Sequence, residues 1–193
     1  MVFITLAEII DIVIMAVAIG FIFKDVFKRP IRHAGEYDPL KDDRYRKKNF
    51  LDGLKLSIMI AGPAIVLHEL AHKFVAMGFG AEATLHAPYF MYVVVVILKL
   101  IGFPLLFFVG GYVAHTPLAA FPSAMVAIAG PFVNFLIWGV ITWGMKKHWF
   151  PHKYHKLLFP MARLNLFLGA FNLLPIPGFD GFHFFSSMYH VLF

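Results

Sequence analysis

Two histidines four residues apart with a glutamate beside the first, His68-Glu69-Leu70-Ala71-His72, sit inside an apolar run of the chain. On a helix, positions four apart share a face, so both imidazoles can point at one ion while Glu69, one residue round, reaches a water held on that ion. This is the arrangement of a zinc hydrolase. Three nitrogen or oxygen ligands leave one position of a tetrahedral Zn²⁺ open, and the metal lowers the pKa of water there to roughly 7. Glu69 would take the proton of that water and later deliver it to a leaving amine. With 10 His in 193 residues, chance gives the pentapeptide in about one such chain in a hundred. The plain alternative is a buried His pair bonded to backbone. Location favours the metal, because ionisable side chains are costly in a membrane segment and three in one turn ask for a common partner.

Composition places that turn in a bilayer. The chain is 60% hydrophobic with a mean hydropathy of +0.76, far above soluble averages, and so reads as an integral membrane protein. It has no cysteine, which excludes disulfides, thiolate zinc sites and cysteine nucleophiles and leaves a metal only N and O ligands. The net charge of +6 is concentrated in two short polar segments, 24–55 and 146–156. Basic loops beside membrane spans follow from topology and lipid headgroups, so the bilayer is the expected partner and nucleic acid is not. Beyond Asp52 the only carboxylates are Glu69, Glu82 and Asp180.

The elements that must position these residues follow from the apolar runs. Residues 2–23 are long enough for a first span. Ala16-Val17-Ala18 has the look of a signal-peptidase site, but no basic region precedes it and Glu8 and Asp11 interrupt the stretch, so the span is expected to be retained. Glu8 and Asp11 share a face that should look toward protein or water. Residues 24–53 form a polar connector, and 54–79 the span carrying the zinc motif, bent at Gly62-Pro63. Two arrangements fit 85–117: a single span over 88–108, or two limbs reversing at 99–104 as a re-entrant hairpin. The second is favoured and implies a wet or protein-lined cavity, since open backbone is otherwise not tolerated at membrane depth. Residues 122–144 make a middle core span, and 145–156 a second connector with four Lys and three His. Residues 157–181 form a span that breaks at Pro175-Ile176-Pro177-Gly178. That break presents Asp180 from unwound backbone, as a ligand facing another element or as the N-cap of a helix beginning near Phe182. The expected fold is one all-α polytopic membrane domain over 1–193, with about four to five transmembrane helices and a small re-entrant or membrane-associated β-hairpin beside the active site.

Three motifs together resemble the site-2 proteases, intramembrane zinc metalloproteases that cut the transmembrane segments of other proteins. His68-Glu69-Leu70-Ala71-His72 followed by Ala76 and Gly80 matches the pattern HExxHxxxAxxxG. Ala129-Gly130-Pro131-Phe132-Val133-Asn134 is similar to the AGPxxN element. Asn172 to Gly181 fits NxxPxxxxDG, with Phe179 where the family usually has Leu. Val109-Gly110-Gly111-Tyr112-Val113 resembles the family's GGYV-like strand. The chain looks like an archaeal or bacterial type and a minimal member without a PDZ domain.

The resemblance implies one Zn²⁺ per chain held by His68, His72 and Asp180, Glu69 as general base and acid, and Gly110, Gly111, Tyr112 and Val113 pairing with an unwound substrate strand. Asn134 and Asn172 are candidates to bond substrate backbone or brace the ligands; plain helix–helix bonding suits each as well. His86, His115 and His183 are alternative ligands outside any matching motif. The expected activity is zinc-dependent intramembrane endopeptidase action on transmembrane protein substrates, in a multi-pass protein of the cell membrane. The family arrangement puts the basic connectors outside the cell, and the positive-inside rule puts them inside. A metal or proton transporter would use the same His and Asp along a path, and a silent adaptor would keep the fold for binding alone.

Overall fold

The computed structural model describes residues 3–26, 42–102 and 110–193. Residues 27–41 of the first connector and 103–109 of the proposed hairpin segment, including Val109, lie outside the described residues. The element order is α1 (Leu6–Phe23), α2 (Asp42–Gly78), β1 (Ala83–His86), α3 (Tyr89–Leu100), β2 (Tyr112–His115), α4 (Ala120–Lys146), a 3₁₀ turn at His152–Tyr154, α5 (His155–Asn172) and α6 (Asp180–Leu192). The fold is all-α and polytopic with one small strand pair. Among the described residues three helices are long and apolar enough to cross a membrane, Leu6–Phe23, Phe50–Gly78 and Ala120–Lys146.

The polarity of α1 is the reverse of a soluble helix. Thr5 caps it, its hydroxyl accepting from the Glu8 N–H while the Thr5 N–H donates to Glu8 at 2.8 Å, a reciprocal capping box. The buried stripe is Glu8, Asp11, Met15 and Ile19, and the outward face carries Leu6, Ile9, Ile10, Val13 and Val17. Apolar residues pointing outward and carboxylates pointing inward suit a lipid surround.

Helix α4 is the centre of the bundle and packs on α2, α5 and α6, while α1 lies on the other side of α2. Helix α2 continues through Pro63 to Gly78 and stops in a Schellman turn, where Ala81 N–H donates to the Ala76 carbonyl (3.1 Å) and Gly80 N–H to Met77 (2.9 Å). The turn needs a left-handed residue, and Gly80 supplies it at φ 84°,. Ala76 is fully buried against Ala81 and Val126. Two positions of the extended zinc motif thus have a packing reason.

Tyr89–Leu100, which is aromatic and β-branched, is a 12-residue helix, followed by a turn at Ile101 and Gly102 with Gly102 at φ 76°. The strands pair across it: β1 and β2 are antiparallel, with Ala83 opposite His115, Thr84 opposite Ala114, Leu85 opposite Val113 and His86 opposite Tyr112. Leu85 is buried among Met15, Ile65 and Tyr92, which seats the small sheet on α1 and α2 at the end of the bundle where His72 lies.

Candidate metal centre

His68 and His72 project from one face of α2, and Asp180 opens α6 directly after the Pro175–Gly178 break. Helix α6 therefore starts at Asp180 rather than near Phe182. Its N-cap is Phe179, without a side-chain cap bond, so Asp180 is left free to face the histidines. Gly178 turns the chain at φ 96°, and Gly181 packs so closely on the Leu173 carbonyl that a Cβ there would overlap it.

Three donor atoms converge. His68 Nε2 lies 3.0 Å from Asp180 Oδ2, His72 Nε2 lies 3.4 Å from the same oxygen, and the two Nε2 atoms are 3.1 Å apart. Tetrahedral Zn–N and Zn–O bonds of about 2.0–2.1 Å separate neighbouring donors by roughly 3.3 Å, so this spacing fits one ion. Among the described residues this is the one group of three or more His or acidic side chains so arranged.

The surroundings suit a bound cation as well. A Cβ on Gly130 would overlap the Nε2 atoms of both histidines, so the glycine of α4 leaves open the space into which the donors point. His72 Nδ1 lies 2.7 Å from the Val126 carbonyl, which fixes that nitrogen as the donor and turns Nε2 inward. His68 Nδ1 meets the Asn134 side-chain amide at 3.1 Å, and Asn134 is fully buried with Oδ1 unpartnered. The atom facing Nδ1 is Asn134 Nδ2, which suits a proton on Nε2; an imidazole that ligates through Nε2 carries its proton on Nδ1, and turning the amide over puts the orphaned Oδ1 there as its acceptor,.

Glu69 is buried beside the triad and hydrogen-bonds to the backbone of Gly111. A Cβ on Gly111 would lie 3.2 Å from Glu69 Cγ and 2.9 Å from Met15 Cε, so a side chain there would have to displace the end of Met15 and press on Glu69. Tyr92 donates its hydroxyl proton to the Gly110 carbonyl and steadies the approach. Asn172 is the last residue of α5, just before the unwound segment.

Among the described residues the strand pair has one open edge. Thr116 N–H donates to the Glu82 carbonyl at 3.0 Å, and in an antiparallel ladder such pairs alternate. Thr84 with Ala114 and His86 with Tyr112 are therefore the hydrogen-bonded pairs, while Leu85 and Val113 turn their backbone groups outward. On the β1 side, Leu85 N–H is taken by Glu8 at 2.9 Å. On the β2 side, the outward backbone of Val113 and His115 meets no partner among the described residues.

The other histidines lie elsewhere. His86 stands 3.9 Å from Asp11, His115 Nδ1 lies 2.9 Å from the Thr116 carbonyl, and His183 is exposed on α6. One buried group has no motif behind it: Lys73, next to His72, donates to Glu8, which also accepts from Leu85. Its only trace in the sequence is a lysine standing in an apolar helix.

Comparison with known proteins agrees with this chemistry. Residues 139–193 match the family model "Peptidase family M50". The chain is 30% identical over 184 residues, 90% of its own length and 81% of the relative's, to the "Putative zinc metalloprotease MJ0611" of Methanocaldococcus jannaschii. It is also 30% identical over 118 residues, 61% of this chain and 30% of the relative, to the "Zinc metalloprotease MJ0392" of the same organism. No solved structure matches. With that kinship spanning nearly the whole chain, the protein belongs to the site-2 protease family of zinc metalloproteases, peptidase family M50.

Proposed function

We propose that this chain is an intramembrane endopeptidase of the cell membrane, crossing it several times and hydrolysing peptide bonds within or near the transmembrane segments of other proteins. The observation that carries the proposal is the convergence of His68, His72 and Asp180 inside the bundle, with Glu69 buried alongside. In this proposal those three side chains hold one Zn²⁺, which supplies an acidified water and a Lewis acid for the substrate carbonyl. Glu69 accepts the proton of the attacking water and passes it to the amine nitrogen as the C–N bond breaks. Val126 and Asn134 keep the imidazoles in the tautomer that ligates.

The substrate must be extended to be cut, because a helical peptide bond hides its carbonyl in intrahelical bonding. The outward backbone of Val113 and His115 supports strand addition at β2. Gly111 joins that edge to Glu69, so an added strand would run beside the general base. Transport is less well supported, because the donors meet at one point within 4.8 Å of one another rather than lining a path.

The test is Glu69→Gln in purified protein, reading both zinc content and cleavage of a transmembrane peptide. Zinc should stay and turnover should fall by at least about 10²-fold. Undiminished cleavage would remove Glu69 from the chemistry, and an absence of cleavage by the unmodified protein on any transmembrane peptide would favour an adaptor.

A further inference from the structure

Arg163 lies on α5 eight residues beyond its start at His155, about 12 Å along the helix axis. It is exposed on the outer surface of the bundle, its guanidinium sits over the Phe159 ring at 5.1 Å, and no carboxylate pairs with it among the described residues. A lone cation on the lipid-facing side of a bundle helix is costly unless an anion reaches it. Phe159 is one turn nearer the α5 start, so the guanidinium leans toward the connector end, where Lys146, Lys147, Lys153 and Lys156 occur in a stretch, 145–156, without a single acid.

Directly beside it is a groove of about 440 Å³ walled by Phe23 and Val26 from the end of α1 and by Phe159, Pro160, Arg163 and Leu164 from α5. Every wall except the guanidinium is apolar. A shallow, open apolar groove with one cation leaning out toward the membrane surface matches a lipid with a hydrocarbon chain and an anionic headgroup, because the chain lies along the groove while the phosphate meets the arginine,. We propose that this groove is a binding site for an anionic phospholipid, with Arg163 selecting the headgroup. The site is separate from the metal centre and rests on the proposed membrane insertion.

The experiment is native mass spectrometry of the full chain released from nanodiscs containing equal amounts of phosphatidylglycerol and phosphatidylcholine, with zinc content measured in parallel. The retained lipid should favour phosphatidylglycerol about fivefold, the effect of one cation near a bilayer surface. Arg163→Gln should bring the ratio close to one with zinc unchanged, Lys153→Gln should leave it near fivefold, and Leu164→Trp, which fills the groove, should lower retention of both lipids. An unchanged ratio in Arg163→Gln overturns the proposal, as does full retention in Leu164→Trp. Displacement of phosphatidylglycerol by a glutamate-bearing transmembrane peptide, seen with the unmodified protein and lost in Arg163→Gln, would assign the groove to a protein partner instead. Should membrane insertion itself be wrong, the chain would appear in the soluble fraction with neither lipid, a result distinct from loss of preference.

Discussion

Lys73, the residue after His72 on α2, buries its ammonium against the Glu8 carboxylate of α1, and both side chains are almost wholly enclosed. Glu8 also holds the outer edge of β1 through Leu85. One carboxylate therefore joins the first helix, the metal-motif helix and the sheet beside the site.

Removing one member of such a pair leaves a buried charge uncompensated. Lys73→Met should destabilise the protein by about 3–5 kcal/mol, and the double variant Lys73→Met with Glu8→Gln by clearly less than the sum of the two single changes. Thermal unfolding in one fixed detergent reads both; strict additivity would show that the two groups do not interact.

Gly130 should tolerate no side chain. Gly130→Ala places a methyl among the Nε2 atoms of both histidines and should lower zinc affinity more than tenfold while the helical circular dichroism persists. Gly139, on the same helix with nothing near its missing Cβ, is the control: Gly139→Ala should bind zinc normally.

These glycines mark how far the sequence could be read. The spacing of His68 and His72 and the proline-broken approach to Asp180 are local patterns, and local patterns are legible because helix geometry and proline chemistry act over a few residues. The reason for Gly130 is not local, since it depends on α4 lying across α2. Lys73 and Glu8 are 65 positions apart, and no periodicity joins them. Glu8 and Asp11 could be assigned to an inward face, yet their partners, Lys73, Leu85 and Tyr89, come from three other elements. The choice over 85–117 between a single span and two limbs reversing at 99–104 is not fixed by local pattern, because β-branched and aromatic residues pack in either arrangement and tertiary contacts decide. Tyr92 and Val95 turn inward from a helix there while Phe90, Val93 and Ile97 face out.

Asn134 braces His68 and should matter through the metal. Asn134→Ala should weaken zinc retention about 10–100-fold in competition with a chelator, with Asn134→Asp recovering part of the loss because it restores an acceptor for Nδ1. If zinc retention does not change in Asn134→Ala, the buried amide serves packing alone.

The sheet register separates two neighbouring residues. Tyr112 spends its backbone bonding on His86, whereas Val113 turns outward. Val113→Pro should impair cleavage with the strand pair and zinc intact, as proline is tolerated on an edge. Tyr112→Pro removes a ladder bond and should instead disturb the sheet itself, visible as faster amide exchange at Thr84 and Ala114. Equal cleavage by Val113→Pro and the unmodified protein would rule out strand addition at this edge.

The most direct test of the metal centre is zinc stoichiometry under chelator competition for the unmodified chain, Asp180→Ala and His183→Ala. One zinc per chain is expected, with retention falling at least about tenfold in Asp180→Ala and unchanged in His183→Ala. Full zinc retention by Asp180→Ala would contradict the three-ligand site, and with it the hydrolytic function drawn from that convergence.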